Sequence, residues 1–110
     1  MISSDIMRGY NDIIILSILN SEDNYGYAIS QTIEKISDGN YTIKETTLYS
    51  ALNRLEKKGY ILSYDGTKTF GRARTYFKIT ELGKIYLREK VEEWKLTREV
   101  INNFMEEYNG

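Results

Sequence analysis

The sequence predicts a mainly α-helical chain with one small β-hairpin, in the order helix, helix, helix, hairpin, long helix. Three observations predict it. Apolar residues recur at steps of three and four in separate blocks before Gly59, the spacing of buried helix faces. Two short runs rich in β-branched and aromatic residues, 60–65 and 75–80, flank a stretch carrying Gly66 and Gly71, which reads as a hairpin. From Leu87 to Tyr108 apolar residues follow alternating steps of four and three if Arg98 is counted in the seam, the heptad spacing of paired helices.

The first helix is expected from about Asp5 to Asn20, capped by Ser4 or Asp5. Its apolar residues occupy more than one stripe, so it is buried on more than one side. In so small a chain the second side is expected to be a subunit interface. The polar break Asn20–Asn24 follows. The second helix runs from about Tyr25 to Ser37, with Ala28, Ile29, Ile33 and Ile36 at helical spacing. Asp38-Gly39-Asn40 ends it with turn residues. The third helix runs from about Glu45 to Lys58. Leu48, Ala51, Leu52 and Leu55 form its inward stripe, Lys57 and Lys58 suit the negative end of its dipole, and Gly59 supplies the stop. The strands are Tyr60–Asp65 and Thr75–Thr80. Asp65-Gly66 is a turn signal, but the connection is long for a tight hairpin. Thr80 caps a last helix that reaches about Tyr108.

The second and third helices make a helix-turn-helix, and the hairpin directly after them makes a wing. The fold class is therefore a winged helix-turn-helix plus a long C-terminal dimerisation helix. Residues 1–80 are expected to form the DNA-binding domain and 81–110 the dimerisation helix, together one compact unit.

Composition narrows the function. The chain of 110 residues fits one domain, and it has neither cysteine nor histidine. That removes disulfides, thiolate and imidazole metal sites, and histidine-based nucleophilic catalysis. No spacing isolates a pair of carboxylates, so the chain is read as a non-enzyme, with no metal and no cofactor. No run approaches the roughly 20 apolar residues of a membrane span. No secretory signal is recognisable at the start, and a cytoplasmic location is expected. The net charge of −1 hides an uneven distribution. Residues 44–78 hold eight basic and three acidic side chains, an excess of five positive charges that leaves minus six elsewhere. A basic face is what phosphate binding needs.

The third helix can enter a major groove, because its inward stripe leaves Thr46, Thr47, Tyr49, Ser50, Asn53, Arg54 and Lys57 on or near the outer face. Lys44 stands just before it. Tyr49 can donate its hydroxyl to a phosphate. In the wing, Lys68, Arg72 and Arg74 are placed to follow a groove or bridge phosphates. Either feature alone is as easily a solvated surface, but together they are spaced to grip one duplex. Tyr25, Tyr27, Tyr60 and Tyr76 are expected to pack at helix and strand junctions.

These motifs together resemble the PadR family of bacterial regulators. The resemblance rests on Arg8-Gly9 with Asp12, on Tyr25-Gly26-Tyr27-Ala28-Ile29, and on Thr47-Leu48-Tyr49 with Arg54-Leu55-Glu56 and Gly59-Tyr60-Ile61. It continues through Gly71-Arg72-Ala73-Arg74-Thr75-Tyr76-Phe77 and Thr80-Glu81-Leu82-Gly83. Ser50, Thr46 and Thr75 depart from residues common in the family. A single last helix is similar to the family's short subgroup.

The resemblance implies a two-fold homodimer in which the last helix packs against the first helix of the partner. Ile6, Tyr10, Ile13, Leu87, Val91, Trp94, Ile101 and Met105 are the expected interface residues. It implies a palindromic double-stranded DNA operator and a repressor. Trp94, the one tryptophan, reads first as a core or interface anchor. Short members that sense planar drugs look to have a tryptophan in this part of the last helix. Hence an effector pocket for a planar aromatic molecule is expected at Trp94, with Ile14, Val91 and Phe104 near it. Arg98, one turn on, would favour neutral or anionic ligands. The alternative reading is a winged-helix adaptor that binds protein through the same faces.

Overall fold

A computed structural model of the chain describes residues 1–66 and 73–108. Its elements are α1 (Ser4–Met7), α2 (Asn11–Ser21), β1 (Asn24–Tyr25), α3 (Gly26–Ile36), α4 (Glu45–Lys57), β2 (Ile61–Asp65), β3 (Thr75–Ile79) and α5 (Glu81–Met105). The three strands form one antiparallel sheet with β3 in the middle. The sheet order puts Tyr25, Tyr76 and Tyr64 side by side across all three strands.

The core is built from α2, α3, α4, β2, β3 and α5, with Met7 of α1 packed against its edge. Ile15, Leu16 and Leu19 of α2, Ile29 of α3, Leu48, Leu52 and Leu55 of α4 and Ile61 of β2 are its largest fully buried side chains. Each removes enough apolar surface from water to contribute about 1.5–3 kcal/mol before entropy is counted. The inward stripe expected of the third helix is the one observed, with Leu48, Ala51, Leu52 and Leu55 buried.

The expected first helix is two helices. Ser3, rather than Ser4 or Asp5, caps α1 through its hydroxyl, which accepts from the Ile6 N–H. The chain then turns through Arg8, Gly9 and Tyr10 before α2 starts. Glycine inside a helix costs about 1 kcal/mol relative to alanine, and Gly9 sits at this break. The apolar surface of α2 is also used differently than expected. Ile15, Leu16, Ile18 and Leu19 are buried within the protomer, and Ile13 and Ile14 pack against the same core. The expected second, intersubunit side of this helix is therefore largely spent on the protomer's own α3, α4, α5 and β3.

The one buried polar side chain among the described residues is Asn11, 5 % exposed at the start of α2. Its amide oxygen accepts the Tyr41 hydroxyl at 2.6 Å. The pair pins the segment between α3 and α4 to α2, and burial pushes the Tyr41 hydroxyl above its ordinary pKa of 10.0.

Strand β1 was not expected. Two residues carry no periodicity, and only pairing with β3 makes them a strand. The hairpin proper is the expected one, β2 against β3 in register from Ile61↔Ile79 to Asp65↔Thr75. The Gly66 N–H extends its ladder to the Arg74 carbonyl at 2.7 Å.

The joint between α4 and α5 is tight. Gly59, at φ +81°, takes the left-handed conformation that ends α4. The Thr80 hydroxyl donates to the Gly59 carbonyl at 2.7 Å and accepts from the Gly83 N–H at 3.0 Å. One side chain thus caps the start of α5, as expected of Thr80, and also ties it to the end of α4. Gly83 lies against the Tyr60 carbonyl, where a β-carbon would overlap it.

Helix α5 changes surroundings along its length. Gly83 and Leu87 are buried, and Val91 packs against the core. From Glu92 to Tyr108 every side chain but Thr97 is exposed. A helix of 25 residues spans about 37 Å at 1.5 Å per residue, longer than the 29 and 21 Å shorter dimensions of the molecule.

Candidate nucleic-acid interface

Successive residues of a helix point about 100° apart, so the buried stripe of α4 fixes its outer face. Thr46, Ser50, Asn53 and Lys57 stand opposite the stripe, and all four are exposed. These are hydroxyl, amide and ammonium groups, able to donate to base edges or phosphates. Lys44 is the exposed N-cap residue and leaves the first turn without a side-chain cap.

The two flanks of α4 differ. On one, Thr47 is half-buried and Arg54 pairs with Asp12 of α2 through two guanidinium nitrogens. Arg54 was expected on the DNA face. The structure instead gives it a carboxylate partner on the side facing α2 and α5, which ties the last turns of α4 to the start of α2. On the other flank, the Glu56 carboxylate accepts from both the Ser63 N–H at 3.1 Å and its hydroxyl at 2.7 Å. That pair fastens the outer edge of β2 to α4. Tyr49 lies on this same side and reaches over Gly26 at the start of α3, where a β-carbon would overlap its hydroxyl.

The wing root meets α4 at this point. Tyr49 of α4, Tyr25 of β1, Gly26 and Tyr27 of α3 and Arg74 before β3 line one cleft of about 330 Å³. The Arg74 guanidinium carbon sits 4.3 Å above the Tyr25 ring centroid, within cation–π range. Tyr25 is braced edge-on by Tyr76 at 5.5 Å, and Tyr76 stacks on Tyr64 at 5.8 Å. The Tyr64 hydroxyl donates to Asp23 at 2.6 Å. That hydrogen bond holds its proton and raises its pKa. Lys68 and Arg72, the other expected wing cations, lie outside the described residues.

Three of the four tyrosines expected to pack at junctions do so. Tyr25 and Tyr76 form the ladder, and Tyr60 stacks on Tyr86 at 4.1 Å. Tyr27 does not, being 64 % exposed at the rim of the cleft. It is a donor that reading the sequence left out. Its place beside Gly26 at the start of the second helix is the signal the sequence offers.

The residues expected at a subunit interface and an effector pocket fall into three places. Leu87 is 7 % exposed and belongs to the protomer's own core, so it has no surface for a partner. Val91 and Ile13 are partly buried against that core. Ile6, Trp94, Ile101 and Met105 are exposed, as are Leu96, Val100, Phe104 and Tyr108. Tyr10, Ile13 and Trp94 share a groove of about 500 Å³ with Arg54, Lys90 and Glu93. Ile14, Val91 and Phe104 do not line that groove within one protomer. Arg98 lies 4.7 Å over the Trp94 ring and covers one of its faces. The Lys90 ammonium, 3.4 Å from Glu93, is held protonated by that carboxylate, which raises its pKa.

Comparison with known proteins agrees with this arrangement. Residues 15–89 match the profile of the family described as "Transcriptional regulator PadR-like family". A protein of Lysinibacillus sphaericus is 48 % identical over 106 residues, covering 96 % of this chain and 97 % of that one. A transcriptional regulator of Clostridium thermocellum superposes with a TM-score of 0.87 at 57 % identity, over 94 % of this chain and 98 % of its own. A PadR family transcription regulator of Clostridium difficile superposes with a TM-score of 0.75 at 38 % identity, over 87 % and 98 %.

Proposed function

We propose that this chain, which belongs to the PadR-like family of transcriptional regulators, is a homodimeric repressor that occupies a palindromic operator. Family membership makes it a DNA-binding regulator rather than an enzyme. The observation that carries the two-element grip on DNA is the shared cleft. Tyr49 of α4 and Arg74 of the wing line one cavity, so one duplex can meet both at once. In this reading Thr46, Ser50 and Asn53 face base edges, while Lys44, Lys57 and Arg74 hold phosphates.

The dimer is supported by α5. The face that buries Gly83 and Leu87 in the protomer continues as Trp94, Ile101 and Met105, which are exposed in one copy. A second copy supplies it. Two α4 helices then read half-sites about 34 Å apart, and binding to a promoter excludes polymerase from the cytoplasmic DNA. The groove at Trp94 is the proposed effector site. Tyr10, Ile13 and Trp94 suit a planar aromatic ligand, which would act by favouring a dimer geometry that mismatches the half-sites.

Fluorescence anisotropy of the protein's own upstream DNA against a scrambled duplex, across a salt series, tests this. Lys44, Lys57 and Arg74 in two protomers give six phosphate contacts, and these predict a slope of log affinity on log salt of about −5. Equal affinity for both duplexes with no salt dependence would overturn the regulator reading.

A further inference from the structure

We propose that Tyr25 is a positioning residue that holds Arg74 at a seat for one backbone phosphate of DNA. The proposal rests on the DNA-binding reading above and adds to it a site, its ligand chemistry and the residue that sets it.

The cleft between α3, α4 and the wing root has the chemistry of an anion site. Among the described residues its lining holds one arginine, the hydroxyl-bearing Tyr27, Tyr49 and Thr75 beside the Tyr25 ring, and no carboxylate. Arg74 is held there in a particular way. The guanidinium carbon sits over the Tyr25 ring, 4.3 Å from its centroid, and a guanidinium laid flat on an aromatic face keeps its in-plane N–H donors free for a ligand. Five such donors in a fixed fork match phosphate oxygens. Among the described residues the Arg74 side chain makes no hydrogen bond or ion pair, and its backbone carbonyl is the group that joins the hairpin ladder.

The platform is itself fixed. Tyr25 sits in a strand, its ring is braced by Tyr76, and that ring is backed by Tyr64 hydrogen-bonded to Asp23. Arginine side chains lose much rotamer freedom on binding. A guanidinium already parked against a rigid ring has less left to lose. Across the cleft, Tyr49 leans over Gly26 and brings its hydroxyl to the same opening. A phosphate seated there would be touched at once by the recognition helix and by the wing.

The test compares wild type, Arg74→Ala, Arg74→Lys, Tyr25→Phe, Tyr25→Leu and the Tyr25→Leu/Arg74→Ala double variant. Each is titrated with the upstream duplex across the same salt series, after its melting curve shows that it is folded. Arg74→Ala should flatten the salt slope by about 0.9 for each protomer bound. Tyr25→Phe keeps the aromatic face and should match wild type. Tyr25→Leu should weaken binding about tenfold in a dimer, because in each copy a released Arg74 must give up its rotamer freedom on binding. The double variant should be no weaker than Arg74→Ala alone. Arg74→Lys keeps the charge but not the planar stack, and should also weaken binding. It probes the seat without touching β1.

Wild-type slope and affinity in Arg74→Ala would overturn the seat. Wild-type affinity in Tyr25→Leu and Arg74→Lys, beside a weakened Arg74→Ala, would overturn the positioning role. So would fully additive losses in the double variant. Absence of salt-dependent binding in the wild type would overturn the regulator reading itself and the seat with it, which is a different result from a bound wild type and silent variants.

Discussion

Replacing Gly83 by alanine tests the joint on which the α4–α5 geometry depends. A β-carbon at position 83 would overlap the Tyr60 carbonyl oxygen and come within 2.8 Å of Ile79 Cγ1. The obstacle is backbone, not the tip of a flexible side chain. That carbonyl already accepts the Thr80 N–H at 3.0 Å, so it cannot swing away without losing a bond. Helix α5 must therefore back off by about 1 Å. This loosens the Thr80 cap, and overpacking of this kind costs about 1–3 kcal/mol with a lost cap near 1 kcal/mol. The gain in helix propensity from glycine to alanine opposes it by about 1 kcal/mol at most. The net is a loss of about 2 kcal/mol, or about 10 °C in Tm for a domain of this size. Thermal melting followed by circular dichroism, at one protein concentration, reads it directly. Gly9→Ala is the matched control. It makes the same chemical change, but its added carbon meets nothing within 4 Å, so its Tm should be unchanged or slightly higher. If both variants melt with the wild type, the tight contact between Gly83 and Tyr60 does not constrain the protein and the reasoning fails.

Other expected outcomes separate the roles of neighbouring residues. Lys57→Ala should flatten the salt slope of DNA binding by about 1.8 per dimer, read by anisotropy. Arg54→Ala should leave that slope unchanged and lower stability by no more than about 1 kcal/mol, since its pair with Asp12 is partly exposed. Tyr41→Phe strands the buried Asn11 oxygen and should cost about 1–3 kcal/mol in urea unfolding. Burial raises the Tyr41 pKa in the folded state, so its contribution is complete below pH 10 and is lost as pH rises through the folded value. Stability of the Tyr41→Phe protein should consequently fall less between pH 9 and 11 than that of the wild type. Ile101→Asp puts a charge on an exposed part of α5. Sedimentation should show folded monomer, and a persistent dimer would place the interface elsewhere.

The parts of the fold legible in the sequence are those set by neighbours in the chain. Leu48, Ala51, Leu52 and Leu55 face inward because their spacing alone puts them on one stripe. Thr80 caps α5 because the group it accepts from, the Gly83 N–H, is three residues away. What the sequence hid depends on distant partners. Strand β1 exists only through β3, some fifty residues on. Arg54 stands on the flank of α4 nearest α2, and the Asp12 carboxylate that takes its guanidinium lies 42 residues away in the chain. Leu87 sits in the same heptad seam as Ile101 and Met105. Periodicity cannot tell which part of a continuous face meets the protomer's own core. The split at Gly9 was hidden for another reason: an unbroken apolar pattern outweighs a propensity difference of about 1 kcal/mol.

Helix α5 makes these separate observations one mechanical unit. Its first turn is fastened to the end of α4 through the Thr80 hydroxyl, which bonds Gly59 on one side and Gly83 on the other. Its middle lines the groove that also holds Arg54 of α4, Ile13 of α2 and Tyr10 just before it. Its last turns are bare. In the proposed dimer, whatever fixes the bare turns against a partner also fixes the angle at which α5 leaves the protomer. Tight packing at Gly83 lets little of that angle be absorbed at the joint. A change at the dimer centre is then passed to α4 as a rigid movement, and the wing follows because Glu56 clamps Ser63. Cutting the Glu56 clamp by Glu56→Ala should thus leave the dimer intact while weakening the coupling between wing and helix. Softening the joint at Thr80 by Thr80→Val should uncouple dimer geometry from DNA affinity altogether. A Thr80→Val protein that still loses DNA affinity on binding a planar aromatic, to the same extent as the wild type, would show that the movement does not pass through this joint.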